Sequence, residues 1–280
     1  MKADAAASSD VVIRFDRVSK TFLRNRNDAD RFRAVDDVSL DIHSGDIVAL
    51  LGKTGCGKST MFNMIAGLLD PSGGTVRVIG KDPFREFDWF RGKIAVVFQN
   101  DRLLPWRTAI GNVELGLEML DVPNEDRRRI AQQWLTQLGL QGHEKDYPHA
   151  LSGGMRQRVS IARAFATDAE ILLCDEPFSA LDEMTGQRLR SEFASLVREN
   201  KKTAVFITHS IDEAILLGDR IAVMTARPGR IKEMLDMPFG WPRDVDAMRA
   251  DPRFAELRQH IWHELHTAKP RRAPAPREVA

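Results

Sequence analysis

Apolar positions along this chain follow three patterns, and the changes between them divide it into regions. Val11-Val-Ile-Arg-Phe15 begins as a strand, and Val38, Leu40 and Ile42 alternate with polar residues as an exposed-edge strand does. Ile47–Leu51, Ile94–Phe98, Ile171–Cys174, Ala204–Thr208 and Ile221–Met224 are near-continuous apolar runs of strand length, the form taken by parallel strands buried on both faces. From about Asn100 to Phe165 the period lengthens. Ile110, Val113, Leu117 and Leu120 share one helical face, and Ile130, Trp134, Leu135 and Leu138 share another. Leu189, Phe193, Leu196 and Val197 mark a helix between two of the buried runs. After Gly240 the sheet pattern stops, and Phe254, Leu257, Ile261 and Leu265 form the stripe of a last amphipathic helix. The order predicts an α/β fold: a mostly parallel sheet with helices on both faces, an antiparallel β edge, and a helical insertion at about 100–165. Residues 1–10 read as a loose N-terminus, 11–240 as the main domain, 241–267 as a helical extension and 268–280 as a tail too rich in proline and charge to pack.

Composition narrows the function classes. The 280 residues are 43% hydrophobic and 29% charged, enough for one large core or two modest ones. No apolar run approaches the roughly 20 residues that cross a bilayer, and MKADAAASSD lacks the apolar centre of a secretory signal. With 41 basic against 40 acidic residues the formal charge is +1, which argues against a nucleic-acid partner. The two cysteines, Cys56 and Cys174, do not look like a secreted disulfide framework and suit a reducing cytosol. The charged stretch Arg24–Arg33 reads as a solvated hairpin loop, with a partner contact as the alternative. His260, His263 and His266 recur every third residue, but such steps drift around a helix and do not match a zinc spacing.

The chemistry begins where Ile47–Leu51 runs into Gly52-Lys-Thr-Gly-Cys-Gly-Lys-Ser-Thr60. Strand, glycine loop and helix in that order form a phosphate cradle. Gly52, Gly55 and Gly57 let the backbone of Lys53, Thr54 and Cys56 turn its N–H groups inward, and the helix beginning near Ser59 and Thr60 adds its positive end. Lys58 is placed to reach the β- and γ-phosphates of a nucleoside triphosphate, and the Ser59 hydroxyl to hold Mg²⁺. Asp175, at the end of the Ile171–Cys174 run, is the candidate for the metal shell, and Glu176 for polarising the attacking water. Ser152, Gly153 and Gly154 form a second phosphate cradle at a helix start.

The Gly52–Thr60 loop, Leu151-Ser-Gly-Gly-Met-Arg-Gln-Arg158 and Ile171-Leu-Leu-Cys-Asp-Glu-Pro-Phe-Ser-Ala-Leu-Asp182, in that order, resemble the ATP-binding subunit of an ABC transporter. The resemblance runs from about Ile13 to Ile231, with Met155 where the family most often has Gln. It implies a P-loop NTPase core with an antiparallel β subdomain and an inserted helical subdomain. It also implies a head-to-tail dimer in which Ser152–Gly154 of one copy face the ATP held by Lys58 of the other. By the same resemblance Glu176 is the glutamate needed for hydrolysis, Gln99 touches Mg²⁺ and water, and His209 is the switch histidine beside the γ-phosphate. Ser179–Asp182 links the two halves, and Phe22 places a ring against adenine. Ordinary core or strand packing remains open for His209 and Phe22.

Phe98–Trp106, Met224–Ile231 and Asp251–Trp262 resemble segments of importer ATPases of the nitrate/sulfonate/taurine group. That implies transmembrane permease subunits as partners, a periplasmic or surface solute-binding protein acting through them, and a place on the cytoplasmic face of the cell inner membrane. Leu103, Leu104 and Trp106 form a candidate apolar patch for the permease, with internal packing as the alternative. Another class of ABC transporter ATPase, or a soluble ABC ATPase without a transport role, stays open beside the importer reading.

Overall fold

The computed structural model describes residues 11–23, 31–179, 181–225 and 227–267. The expected loose segment 1–10, residues 24–30 of the charged stretch and the tail 268–280 lie outside the described residues. Strands β1 (Val11–Leu23), β2 (Arg31–His43) and β4 (Gly73–Val78) form an antiparallel sheet with β1 in the middle. The second sheet runs β5 (Ile94–Val97), β6 (Ile171–Asp175), β7 (Thr203–Thr208), β3 (Ile47–Leu51), β8 (Arg220–Met224), β9 (Ile231–Asp236). All its pairings are parallel except the last, where β9 returns antiparallel to β8.

The near-continuous apolar runs are explained by what covers each face. Val48 and Leu50 of β3, Leu173 of β6 and Val205 and Ile207 of β7 point into a core shared with the antiparallel sheet and helix α1 (Lys58–Ile65). Their neighbours Leu172, Cys174, Ala204 and Phe206 point the other way, into a core with α4 (Gly153–Ala166) and α5 (Glu183–Glu199). There Phe165, Phe178, Phe193 and Phe206 meet largely edge to face. The helices α2 (Ala109–Glu118) and α3 (Asn124–Gln137) extend this second core beyond the sheet.

A third, smaller core holds the C-terminal segment. Ala49 and Leu51 of β3 meet α6 (Ile211–Leu217), α7 (Val245–Ala250) and α8 (Pro252–His266) through Ile215, Met248, Phe254 and Ile261. Arg243 clips this segment in place: its buried guanidinium donates to Leu216 O at 3.0 Å and Gly218 O at 2.8 Å. Of the regularly spaced histidines, His260 Nε2 lies 2.8 Å from Glu233 Oε2, and His266 stacks on Trp262 with centroids 4.0 Å apart. Among the described residues no group of side chains forms a metal cage of the His, Cys, Asp and Glu kind. The parallel strands share one C-terminal edge, which is where the phosphate loop leaves β3.

Candidate functional site

The loop after β3 is held by close packing. Gly55 and Gly57 take φ of 80° and 95°, values that L side chains adopt rarely. A Cβ on Gly52 would lie 2.6 Å from the sulfur of Cys56. Cys56 is fully buried beneath the loop, and burial raises its thiol's pKa against the pull of Lys58, so it packs as a small inert residue. Gly57 is the N-cap of α1 and supplies no side-chain bond, which leaves the first-turn N–H groups for a ligand. Lys58 is 7% exposed, with Nζ donating to Gly52 O at 2.6 Å and to Lys53 O at 3.4 Å. The ammonium itself is thus tied to carbonyls of the loop, which holds the charge at the cradle.

Across a cleft of about 410 Å³ stand the two carboxylates. Asp175 ends β6. Burial pushes its carboxyl above the usual range, the neighbouring Glu176 adds to the shift, and Lys58 opposes it. Glu176 turns at φ 46°, and its N–H donates to Ile207 O at 3.0 Å, which aims the two acids differently. His209 follows β7 and brings Nδ1 to 3.0 Å from Glu176 Oε1. Ser179 Oγ donates to Glu176 O at 3.0 Å, and Asp182 caps α5 by accepting from Thr185 N at 3.0 Å. The loop Ser179–Asp182 is thus tied at one end to Glu176 and at the other to a helix start.

The same cleft is lined by Phe22, Thr54, Gly55, Gly57, Lys58, Ser59 and Thr60 with both acids. Phe22 stands at the rim, 37% exposed, with Lys20 Nζ 5.4 Å from its ring. Gly52, Lys53 and His209 open instead on a neighbouring cavity of about 1090 Å³ walled by α8, through Phe254, Arg258 and Trp262. Two sequence candidates stand apart from both. Gln99 is exposed beyond β5. Ser152 and Gly153 are exposed and Gly154 is half-buried at the start of α4, where Ser152 Oγ accepts from Met155 N at 3.3 Å. These two regions are fastened to each other: Arg163 on α4 donates to Asp101 O at 2.8 Å and Arg102 O at 2.9 Å, and Arg156 Nε meets Asp101 Oδ2 at 3.0 Å.

The apolar patch expected after Gln99 is smaller than the sequence suggests. Leu103 packs on the helical core, because Asn112 pins its segment: Leu104 N donates to Asn112 Oδ1 at 2.7 Å. Leu104 is half-buried, and Trp106 alone projects, 71% exposed. Sequence reasoning also missed four lining residues, Phe32, Ala34, Ile207 and Arg227. Arg227 lay inside the Met224–Ile231 segment but had no role there.

The ABC transporter family pattern matches residues 35–179. A taurine import ATP-binding protein from Rhizobium johnstonii is 43% identical over 246 residues, 86% of this chain and 92% of its own length. A nitrate import ATP-binding protein from Synechococcus elongatus is 38% identical over 269 residues, 95% of this chain and 96% of its own. A dimeric ATP-binding cassette solved in a post-hydrolysis state with ADP and Pi superposes with a TM-score of 0.69 at 33% identity, covering 81% of this chain and all of that one. A loop able to wrap phosphates, facing two differently aimed carboxylates and a histidine, accords with these relationships: the chain belongs to the ABC transporter family, as one of its ATP-hydrolysing subunits.

Proposed function

We propose that two copies of the chain clamp two MgATP molecules between them and drive an importer for a small anion or organosulfonate such as nitrate, sulfonate or taurine. The observation that carries the reading is the cleft itself, where Lys58 and Ser59 face Asp175 and Glu176. The import names of the taurine and nitrate relatives support the direction of transport, and the dimeric cassette supports the pairing. No described helix is long and apolar enough to cross a membrane. On the import reading the pore belongs to permease subunits, served by a periplasmic or surface solute-binding protein. The chain then sits peripherally on the cytoplasmic face, and outward-facing Trp106 is its contact with the permease.

Mg²⁺ fits the residues present. Asp175 carries a carboxylate disfavoured by burial and by its acidic neighbour, which is the electrostatic condition a divalent cation relieves. Ser59, in the first turn of α1, and Asp175 would hold it, and Gln99, exposed outside the cleft, would join them only once its loop turns toward the nucleotide. When bound, the ion supplies positive charge to the β- and γ-phosphate oxygens. The protein's own residues do the rest. Loop N–H groups and Lys58 orient the polyphosphate, and Phe22 stacks on adenine. Glu176 accepts from the water that attacks the γ-phosphorus, while the bond to the bridging oxygen breaks and ADP and phosphate leave. His209, 3.0 Å from Glu176, fixes that carboxylate's orientation and stands beside the γ-phosphate. Ser152, Gly153 and Gly154 of the second copy close the site from the opposite side, with Ser179–Asp182 carrying the contact between the halves.

The test is isolation of the chain with its partners from native membranes, followed by ATPase measurement with candidate cargoes. A polytopic permease in stoichiometric amount, with turnover stimulated by a small anion or sulfonate, is the expected result. Ribosomes or DNA ends in its place would overturn the import reading in favour of a soluble ABC ATPase.

A further inference from the structure

The turn between β8 and β9 is built onto the phosphate loop. Gly229 N donates to Ala34 O and Asp36 N donates to Gly229 O, both at 2.9 Å. A Cβ on Gly229 would lie 1.9 Å from Cys56 O, so only glycine lets the turn approach the loop this closely. Arg230 Nε is fastened to Asp36 Oδ2 at 2.9 Å. Thr225 Oγ1 closes the turn by donating to Pro228 O and accepting from Arg230 N, each at 3.1 Å.

These fastenings have one product that neither the fold nor the phosphate loop requires. Arg227 is held at φ 40°, in the left-handed region that L side chains seldom occupy. From there its guanidinium reaches over Gly55: Nη2 and Nε lie 3.5 and 3.6 Å from the point a Cβ on Gly55 would occupy. It is exposed and lines the nucleotide cleft with Lys58 and Ser59. The two arginines of the turn are therefore used differently. Arg230 spends its charge on Asp36 within the fold, whereas Arg227 presents its charge to the cleft. A guanidinium is always charged, and its planar fork matches phosphate oxygens.

We propose that Arg227 is a second cation of the nucleotide cleft, lying along the polyphosphate of bound ATP from the side of Gly55. The proposal rests on the reading of this cleft as the ATP site. Because Arg227 comes from the β8–β9 turn rather than from the phosphate loop, it adds a contact that the loop sequence by itself does not encode.

Calorimetric titration of the full chain with ATP and with inorganic tripolyphosphate tests it. Arg227→Gln should bind both about tenfold more weakly than wild type, with an unchanged melting temperature because the side chain is exposed. Arg227→Lys should regain part of the loss, since it restores the charge but not the fork. If Arg227→Gln binds ATP like wild type while Lys58→Ala does not, the proposal is wrong and the cleft reading stands. A loss for ATP with none for tripolyphosphate would also overturn it, placing Arg227 on the nucleoside. Failure of wild type to bind ATP at all would overturn the cleft reading and this proposal with it.

Discussion

The chain contains two glycine-bearing helix starts that can cradle phosphate, and they differ in everything around them. The loop before α1 is sunk at the edge of a buried sheet. It faces Asp175 and Glu176 across a cleft, and its lysine is all but buried. The start of α4 has the same backbone chemistry and a serine cap, yet Ser152 and Gly153 are exposed, outside the cleft. Free N–H groups at a helix end make an anion site only where walls exclude water and a counter-charge stands nearby. The first cradle has both within one chain. The second lacks the walls, and the cation beside it, Arg156, is already paired with Asp101; on the proposed mechanism the other copy completes it.

The sharpest way to break this comparison is to damage each cradle alone. Lys58→Ala removes the cation from the complete cradle. It should cost about 3 kcal/mol of ATP binding, over a hundredfold in affinity, already in the monomer. Ser152→Arg should leave monomer affinity within a few-fold while turnover falls by about a hundredfold or more, because a bulky cation blocks the place where the opposing γ-phosphate must sit. Equilibrium binding and steady-state hydrolysis on both variants decide the matter. An equal loss of monomer affinity in the two would mean that both cradles serve one chain's own nucleotide.

A smaller effect sharpens the contrast between exposed and packed residues after Gln99. Trp106→Ala should leave the melting temperature and ATP affinity near wild type and weaken permease retention by about tenfold or more, as loss of one apolar anchor worth about 1.5–3 kcal/mol would. Leu104→Ala, half-buried beside Asn112, should divide its cost between folding stability and retention. A melting loss for Trp106→Ala with unchanged retention would remove the docking role.

Much of this was legible in the sequence because it depends on local order. Strand, glycine loop and helix follow one another in the chain, so Gly52–Thr60 declared its own geometry. Asp175 and Glu176 ended an apolar run, and the alternation of Val38, Leu40 and Ile42 marked an edge strand. The rest depends on distant neighbours. In β4 only Val76 and Val78 are buried, and β9 is half-exposed along its length, so neither shows a period. Leu103 looked like a companion of Trp106 until Asn112, on α2, pinned its segment inward. Arg227 could not be placed because its position is set by Gly229 packing against Cys56 O, a contact across 173 residues of chain.

The composite nature of the sites is tested most directly by sedimentation of two variants with MgATP. Glu176→Gln keeps the size of the side chain but is a far poorer acceptor for water, so nucleotide should stay intact and hold two chains together as a dimer. Adding Ser152→Arg to the same chain should return it to monomer while each chain still binds ATP. A double variant that remains dimeric, or one that loses its nucleotide, would contradict a site shared between two copies.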